Sequence, residues 1–167
     1  MKSKAKFLGH PIHQMLIPLP IGLLAGSLGF DIVGILGGSP GMRTVAWYLI
    51  GAGVITGLVA AVFGAIDFSG IPRRTRAWRV GALHGLGNVA MISLFAVGWI
   101  LRRPSPDAPG PLPMILSIVA IGLILVTGWL GGELVDRLGV GVDDGANLDA
   151  PSSLSRRDAD DLPPPRV

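Results

Sequence analysis

Four long apolar stretches constrain this chain more than any other feature of its sequence. They run over residues 11–36, 44–66, 78–101 and 112–135 and contain very few charged side chains. A bilayer core about 30 Å thick requires about 20 apolar residues as a helix. Lipid offers backbone groups no hydrogen bonds, so only helices or closed barrels span it, and strict two-residue alternation is absent here. The sequence therefore predicts an all-α membrane protein with four transmembrane helices in an antiparallel bundle.

The composition agrees with a membrane protein. Half of the residues are hydrophobic and 15% are charged, whereas a soluble domain carries about 25% charged residues. The net charge of +3 comes from short basic clusters beside the apolar stretches. We therefore expect the lipid bilayer as a partner and no nucleic acid. The absence of cysteine excludes disulfides and thiolate metal ligands.

The chain divides into two parts by composition. Residues 1–138 contain all four apolar stretches and form the predicted transmembrane domain. Residues 139–167 are rich in Asp, Ser, Pro and Arg and contain no aromatic residue. Such a segment has too few apolar groups to offset the entropy of ordering. We therefore predict a disordered cytoplasmic tail over residues 139–167.

Basic residues near the spans predict the orientation. Eight lie on one side of the predicted bundle and three, Arg43, Arg102 and Arg103, lie on the other. The eight are Lys2, Lys4, Lys6, Arg73, Arg74, Arg76, Arg79 and Arg137. Cytoplasmic loops carry the excess of Lys and Arg. We therefore expect a multi-pass protein of the bacterial inner membrane, with both termini in the cytoplasm.

Most polar residues within the spans fall in one half of the membrane. Because successive helices alternate in direction, depth follows from sequence position. The residues assigned to the cytoplasmic half are His10, His13, Asp67, His84, Asn88 and Glu133. Only Asp31 is assigned to the opposite half. Ionisable groups inside a membrane are costly and by default indicate function.

Each of these residues also has a purely structural interpretation. His10 and His13 suit the headgroup region, and Glu133 is four residues from Arg137, which favours an ion pair along the helix. Asp67 has Arg73, Arg74 and Arg76 nearby as neutralising partners. His84 is the strongest functional candidate, since it lies two turns into its span. The surrounding glycines are Gly81, Gly85 and Gly87. Trp129 is predicted to pack within the bundle.

Glycine pairs spaced four residues apart occur in every span. They are Gly22-x-x-x-Gly26, Gly53-x-x-x-Gly57, Gly81-x-x-x-Gly85 and Gly128-x-x-x-Gly132. Small residues at this spacing let helix backbones approach closely in lipid. The pairs favour close packing inside the bundle, and the alternative is a homodimer through one of these faces.

An ordered set of short segments resembles a bacterial membrane protein family, the domain of unknown function 2231. The segments are Gly9-His10-Pro11-Ile12-His13, Pro18–Gly22, Gly64–Phe68 with Ile71-Pro72, His84 with Asn88, Gly131–Val135 and Gly139–Val142. The resemblance covers about residues 7–142 and implies a four-helix membrane protein. Some members are joined to a Rieske-type ferredoxin domain, which implies a redox setting. An aromatic and a histidine frequent in the family around Asp136–Leu138 are absent here.

Three functional hypotheses follow from these residues. In the first, His84 with His13 or His10 binds haem b in an electron-transfer role with a redox partner, since haem in a bundle needs axial ligands at similar depth. Asn88, Glu133 and Arg137 would then contact propionates or tune the site.

In the second hypothesis a transition metal replaces haem. Its ligands would come from His10, His13, His84, Asp67 and Glu133. The third is a non-enzymatic membrane subunit, or a small transporter that uses Asp31, Asp67 and Glu133 for protons. No cysteine nucleophile or phosphate-cradling motif supports catalysis.

Overall fold

Four helices in the structure are long and apolar enough to cross a membrane, as predicted. The computed structural model describes residues 1–155. Its elements are β1 (Lys6–Phe7), β2 (His10–Pro11), α1 (Ile12–Leu16), α2 (Pro18–Leu36), α3 (Pro40–Phe68), α4 (Arg76–Arg102), α5 (Pro111–Gly132) and a π-helix (Glu133–Arg137). The candidate spans are Ile12–Leu36, Pro40–Phe68, Arg76–Arg102 and Pro111–Arg137. This confirms the predicted fold class.

Local chemistry explains where the long helices begin. Pro18, Pro40 and Pro111 each open a helix, where a missing N–H costs nothing because the first turn has no intrahelical acceptor for it. The start of α4 depends instead on Thr75, whose hydroxyl accepts a hydrogen bond from the backbone N–H of Trp78 at 3.1 Å. A proline or a capping threonine thus sets the first residue of each long helix.

The bundle consists of two helical hairpins. Helix α2 packs along α3, α4 packs along α5, and the hairpins meet mainly where α3 contacts α4. An apolar core cluster lies between them and contains Leu24, Ile50, Val54, Met91, Ile92, Phe95, Ala120 and Ile124. Most other large apolar side chains lie on the outer surface, where lipid is the natural solvent.

Only some of the glycine pairs lie inside the bundle. A methyl group at Gly53 would lie 2.6 Å from Cδ2 of Leu24, so this glycine allows close approach of α2 to α3. By contrast, Gly22, Gly85, Gly128 and Gly132 face open space. Helix α3 therefore packs against its neighbours through its glycine face. A homodimer through the outward-facing glycines of the other helices stays a prediction.

The N-terminal segment is hydrogen-bonded to the chain that follows the last helix. The Met1 ammonium donates to the Gly139 carbonyl at 2.8 Å, and the Gly141 N–H donates back to the Met1 carbonyl at 2.8 Å. Lys6 forms an ion pair with Asp143. Residues 1 and 139–143 therefore lie at the same end of the bundle.

The described part of the predicted tail contains turns but no helix or strand. This part runs from residue 139 to residue 155. Residues 156–167 of the predicted disordered tail lie outside the described residues.

Asp67 has different partners from those expected. One carboxylate oxygen accepts hydrogen bonds from the Ser3 hydroxyl at 2.7 Å and from the backbone N–H groups of Lys4 and Ala5 at 2.8 and 3.2 Å. The expected neutralisation by the arginines of the α3–α4 loop is therefore wrong. The N-terminal segment folds back over the end of α3 and donates hydrogen bonds to this carboxylate. The pattern of apolar residues could not predict the position of this segment.

Trp129 lies on the outside of the bundle, so its predicted packing role is wrong. It is 67% exposed. Apolar side chains face either neighbouring helices or lipid in a membrane protein, and hydrophobicity alone cannot distinguish these environments.

Replacing Gly53 with alanine tests the close approach of α2 to α3. The added methyl would clash with Leu24, which is fully buried and held by the core. We expect a loss of about 1–3 kcal/mol, measured as a lower midpoint of thermal unfolding in detergent. The matched control is Gly22→Ala, which faces open space and should not lower the midpoint. Equal midpoints for both variants would contradict the packing described.

Candidate functional site

Two histidines from different helices meet inside one half of the bundle. His13 lies on α1, and His84 lies eight residues into α4, about 12 Å from its start. Their ring centroids are 6.5 Å apart and the ring planes are perpendicular. Both side chains are half-buried. The sequence predicts that both histidines, together with His10, lie in the same half of the membrane.

Helix α3 fixes the His13 ring. Nδ1 of His13 lies 2.8 Å from the carbonyl oxygen of Ala60. A carbonyl oxygen only accepts, so Nδ1 carries the proton and donates it, which leaves a lone pair on Nε2. A methyl group at Gly64 would lie 2.8 Å from Cε1 of His13. The absent side chain at Gly64 therefore lets the imidazole lie against the backbone of α3.

Helix α5 fixes the His84 ring in the same way. Its Nδ1–H donates to the carbonyl oxygen of Thr127 at 2.9 Å. Its Nε2 accepts a hydrogen bond from the Asn88 amide at 3.0 Å. A methyl group at Gly131 would lie 3.2 Å from Cε1 of His84. Both ring nitrogens of His84 are therefore engaged, and Asn88, one turn along α4, lies where the sequence predicts it.

The two imidazoles share a feature of metal-binding histidines. Ligating histidines almost always donate their other ring N–H to a carbonyl or carboxylate, which fixes the tautomer and the ring orientation. Here both Nδ1–H groups donate to backbone carbonyls, so Nε2 is the lone-pair atom in each ring. Within residues 1–155, Nε2 of His13 has no hydrogen-bond partner.

The other residues of the predicted metal set lie apart from this pair. His10 is exposed, and its Nε2 lies 3.2 Å from the Ser153 hydroxyl. The Asp67 carboxylate accepts hydrogen bonds from the N-terminal segment. Glu133 forms an ion pair with Arg76, and the expected pairing with Arg137 is wrong. Across residues 1–155, no three His, Cys, Asp or Glu side chains lie close enough to hold a metal ion together.

A buried ion pair that the sequence analysis missed lies in the opposite half of the bundle. Nη1 of Arg102 lies 2.9 and 2.8 Å from the two carboxylate oxygens of Asp31. Nη2 of Arg102 donates to the Ser117 hydroxyl at 3.3 Å and lies 3.4 Å from Sδ of Met114. Neither charged side chain is exposed. The sequence could have predicted this pair. Helices α2 and α4 run in the same direction, so Asp31 and Arg102 lie at a similar depth near the ends of their spans.

This ion pair joins the two hairpins. Asp31 belongs to α2, Arg102 to α4 and Ser117 to α5. Taking two charges out of water is expensive, and removal of one partner leaves an uncompensated buried charge. We therefore expect the packing of the two hairpins against each other to require both Asp31 and Arg102.

Comparison with known proteins gives the family. A family model described as "Predicted membrane protein (DUF2231)" matches residues 9–144. The chain belongs to this family. The DUF2231 match confirms the resemblance drawn from the short segments, and it includes the imidazole pair, Asn88 and the buried ion pair. No curated protein and no solved structure matches the chain.

Single and double substitutions test the buried ion pair. We expect Arg102→Met to lower the free energy of unfolding by about 3–5 kcal/mol, because Asp31 is then buried without a partner. The double variant Asp31→Leu with Arg102→Met should recover much of this loss, since it removes both charges. Thermal unfolding in detergent measures both effects.

The matched control for this cycle is Arg103→Met. Arg103 is the exposed neighbour of Arg102, and its loss should leave the unfolding midpoint unchanged. A double variant less stable than both single variants would mean that the charges do not stabilise the bundle through each other.

Proposed function

We propose that this DUF2231 protein is a redox membrane protein that holds one haem b between His13 and His84. The observation that carries the proposal is the imidazole pair itself. The two rings come from separate helices, and each is oriented by an Nδ1–H bond to a backbone carbonyl. Haem in a helical bundle needs one or two such ligands, and His13 and His84 could supply both.

The spacing of the rings supports this ligand pair. Two imidazoles this close together could both be contacted by one bound group. The observed separation of His13 and His84 is 6.5 Å. Among the three histidines, His13 is thus a better second ligand than His10, which lies outside the bundle.

The number of ligands favours haem over a bare metal ion. A zinc site requires three or four protein ligands, and His10, Asp67 and Glu133 all have other partners. Haem brings ring ligands of its own, so His13 and His84 alone would be enough to hold it. Bound haem would supply one-electron transfer, and a redox partner would be the source or the acceptor of that electron.

The packing described is a closed form of this site. The Nε2 lone pair of His84 accepts a hydrogen bond from the Asn88 amide, and Asn88 would have to release it for His84 to hold haem. The rings are also in contact, and a macrocycle requires a wider slot. Helix α1, which carries His13, is five residues long and has no buried residue. It is therefore the element best able to move and admit the ring.

We infer that this site lies in the cytoplasmic half of a bacterial inner membrane. The end of the bundle nearest the imidazole pair carries the N-terminal lysines and the arginines of the α3–α4 loop. An excess of basic residues is typical of cytoplasmic loops. The opposite end carries Arg43 and Arg103, with Arg102 buried.

A second candidate function is a non-enzymatic membrane subunit in which the same cluster is structural. The hydrogen bond from Asn88 favours it, because that bond uses the last free position on the His84 ring. In that case the imidazoles serve to bind α1 to α3 and α4 to α5. Substitution of either histidine would then lower stability without a change in any cofactor.

Absorbance spectra of the protein purified from haem-replete membranes separate the two candidates. We expect a Soret band in the wild type and its loss in His84→Ala and His13→Ala, because each variant lacks one axial ligand. Asn88→Ala should retain the band and take up added haem more readily, since the competing amide is gone.

The matched control is His10→Ala, which removes an exposed imidazole outside the pair and should leave the spectrum unchanged. A colourless wild-type protein that takes up no added haem would exclude the haem proposal and leave the structural role.

A further inference from the structure

A shallow cleft opens on the outer surface of the bundle where α5 ends. It has a volume of about 200 Å³ and is lined by Trp129, Gly132, Glu133, Asp136 and Arg137. These residues follow one another at intervals of three, one, three and one, so they share one face of the helix. The cleft is separate from the imidazole pair, whose residues are not among its lining.

The backbone changes its winding at this cleft. Helix α5 ends at Gly132 and continues as a π-helix over Glu133–Arg137. Single π-turns of this kind occur frequently at functional sites. A methyl group at Gly132 would meet no atom within 4 Å. The face therefore has a local depression at the glycine with charged residues beyond it.

Two side chains of opposite charge are available in the cleft. Asp136 and Arg137 are both exposed, and neither has a hydrogen-bond or ion-pair partner within residues 1–155. Glu133 differs, because it is paired with Arg76. The cleft thus presents one acceptor carboxylate and one donor guanidinium to a ligand that carries both charges.

The depth of the cleft points to a lipid. From Trp129 to Arg137 the helix rises about 12 Å, from the apolar region toward the end of the span at Arg137. Trp129 is 67% exposed, so at this depth it presents an apolar ring to lipid chains. A ligand that fills this face must be apolar beside Trp129 and Gly132 and charged beside Asp136 and Arg137.

We propose that the cleft binds the headgroup of an aminophospholipid. The phosphate lies at Arg137, whose guanidinium suits phosphate geometry, and the ammonium group lies at Asp136. The start of the acyl chains covers Gly132 and Trp129. A phospholipid without an amine is disfavoured, because Arg137 would pair with its phosphate while the Asp136 carboxylate beside it would meet no cation. This proposal is independent of haem binding.

Lipid competition measured by native mass spectrometry tests the proposal. The purified full chain is exchanged into mixed micelles of phosphatidylethanolamine and phosphatidylglycerol with identical acyl chains. The wild type should retain phosphatidylethanolamine in preference. Asp136→Asn should reduce that preference by about fivefold, the effect of about 1 kcal/mol near a membrane surface. Arg137→Gln should weaken retention of both lipids.

Two further sets of variants complete the experiment. Gly132→Leu fills the depression from a Cβ position that meets no atom within 4 Å, and it should lower retention of both lipids while the unfolding midpoint stays unchanged. The matched controls, Asp144→Asn and Arg103→Gln, alter exposed charges outside the cleft and should behave as the wild type. A wild-type preference for phosphatidylglycerol, or a preference that Asp136→Asn leaves unchanged, would overturn the proposal.

Discussion

Polar groups inside a membrane must find their partners within the protein, and this constraint organises the whole bundle. At one end, the Asp31 carboxylate and the Arg102 guanidinium neutralise each other across the two hairpins. At the other end, each imidazole donates to a carbonyl of the facing helix. Between these two polar layers the core is apolar. The helices are thus positioned by a few directional contacts as well as by shape.

The same constraint explains why the histidine cluster has two candidate roles. An imidazole whose Nδ1–H is fixed on a backbone carbonyl is both a strong interhelical contact and an oriented ligand. Asn88 separates the two roles, because its amide binds the nitrogen that iron would use. Whether the cluster holds a cofactor therefore depends on the competition between an amide and a metal for one lone pair.

Sequence reasoning succeeded where a single physical quantity dominates. Bilayer thickness sets the length of a span, so the four helices and their approximate bounds followed from apolar runs alone. Alternating helix direction then assigned all three histidines to one half of the bundle, but it left open whether His10 or His13 lies beside His84. The position of Trp129 was less informative, because an outward face and an inward face are both apolar. For that reason Trp129 was assigned to the interior although it faces lipid.

The remaining contacts depend on tertiary structure that no local pattern carries. Asp67 binds the first residues of the chain, and Glu133 pairs with Arg76 on another helix. In each case a basic residue nearby in sequence was the expected partner, but the carboxylate is bound by groups further along the chain. The depth argument that paired the histidines applies equally to Asp31 and Arg102, but a charge at the end of a span is more simply interpreted as a topology signal.

The coordination of any haem in the purified wild-type protein tests the proposed site most directly. Low-temperature electron paramagnetic resonance of the oxidised protein reports whether the iron has two strong axial ligands. Haem held by both His13 and His84 gives a six-coordinate, low-spin signal. A high-spin signal from five-coordinate iron, or no haem signal at all after incubation with haem, would contradict ligation by the imidazole pair.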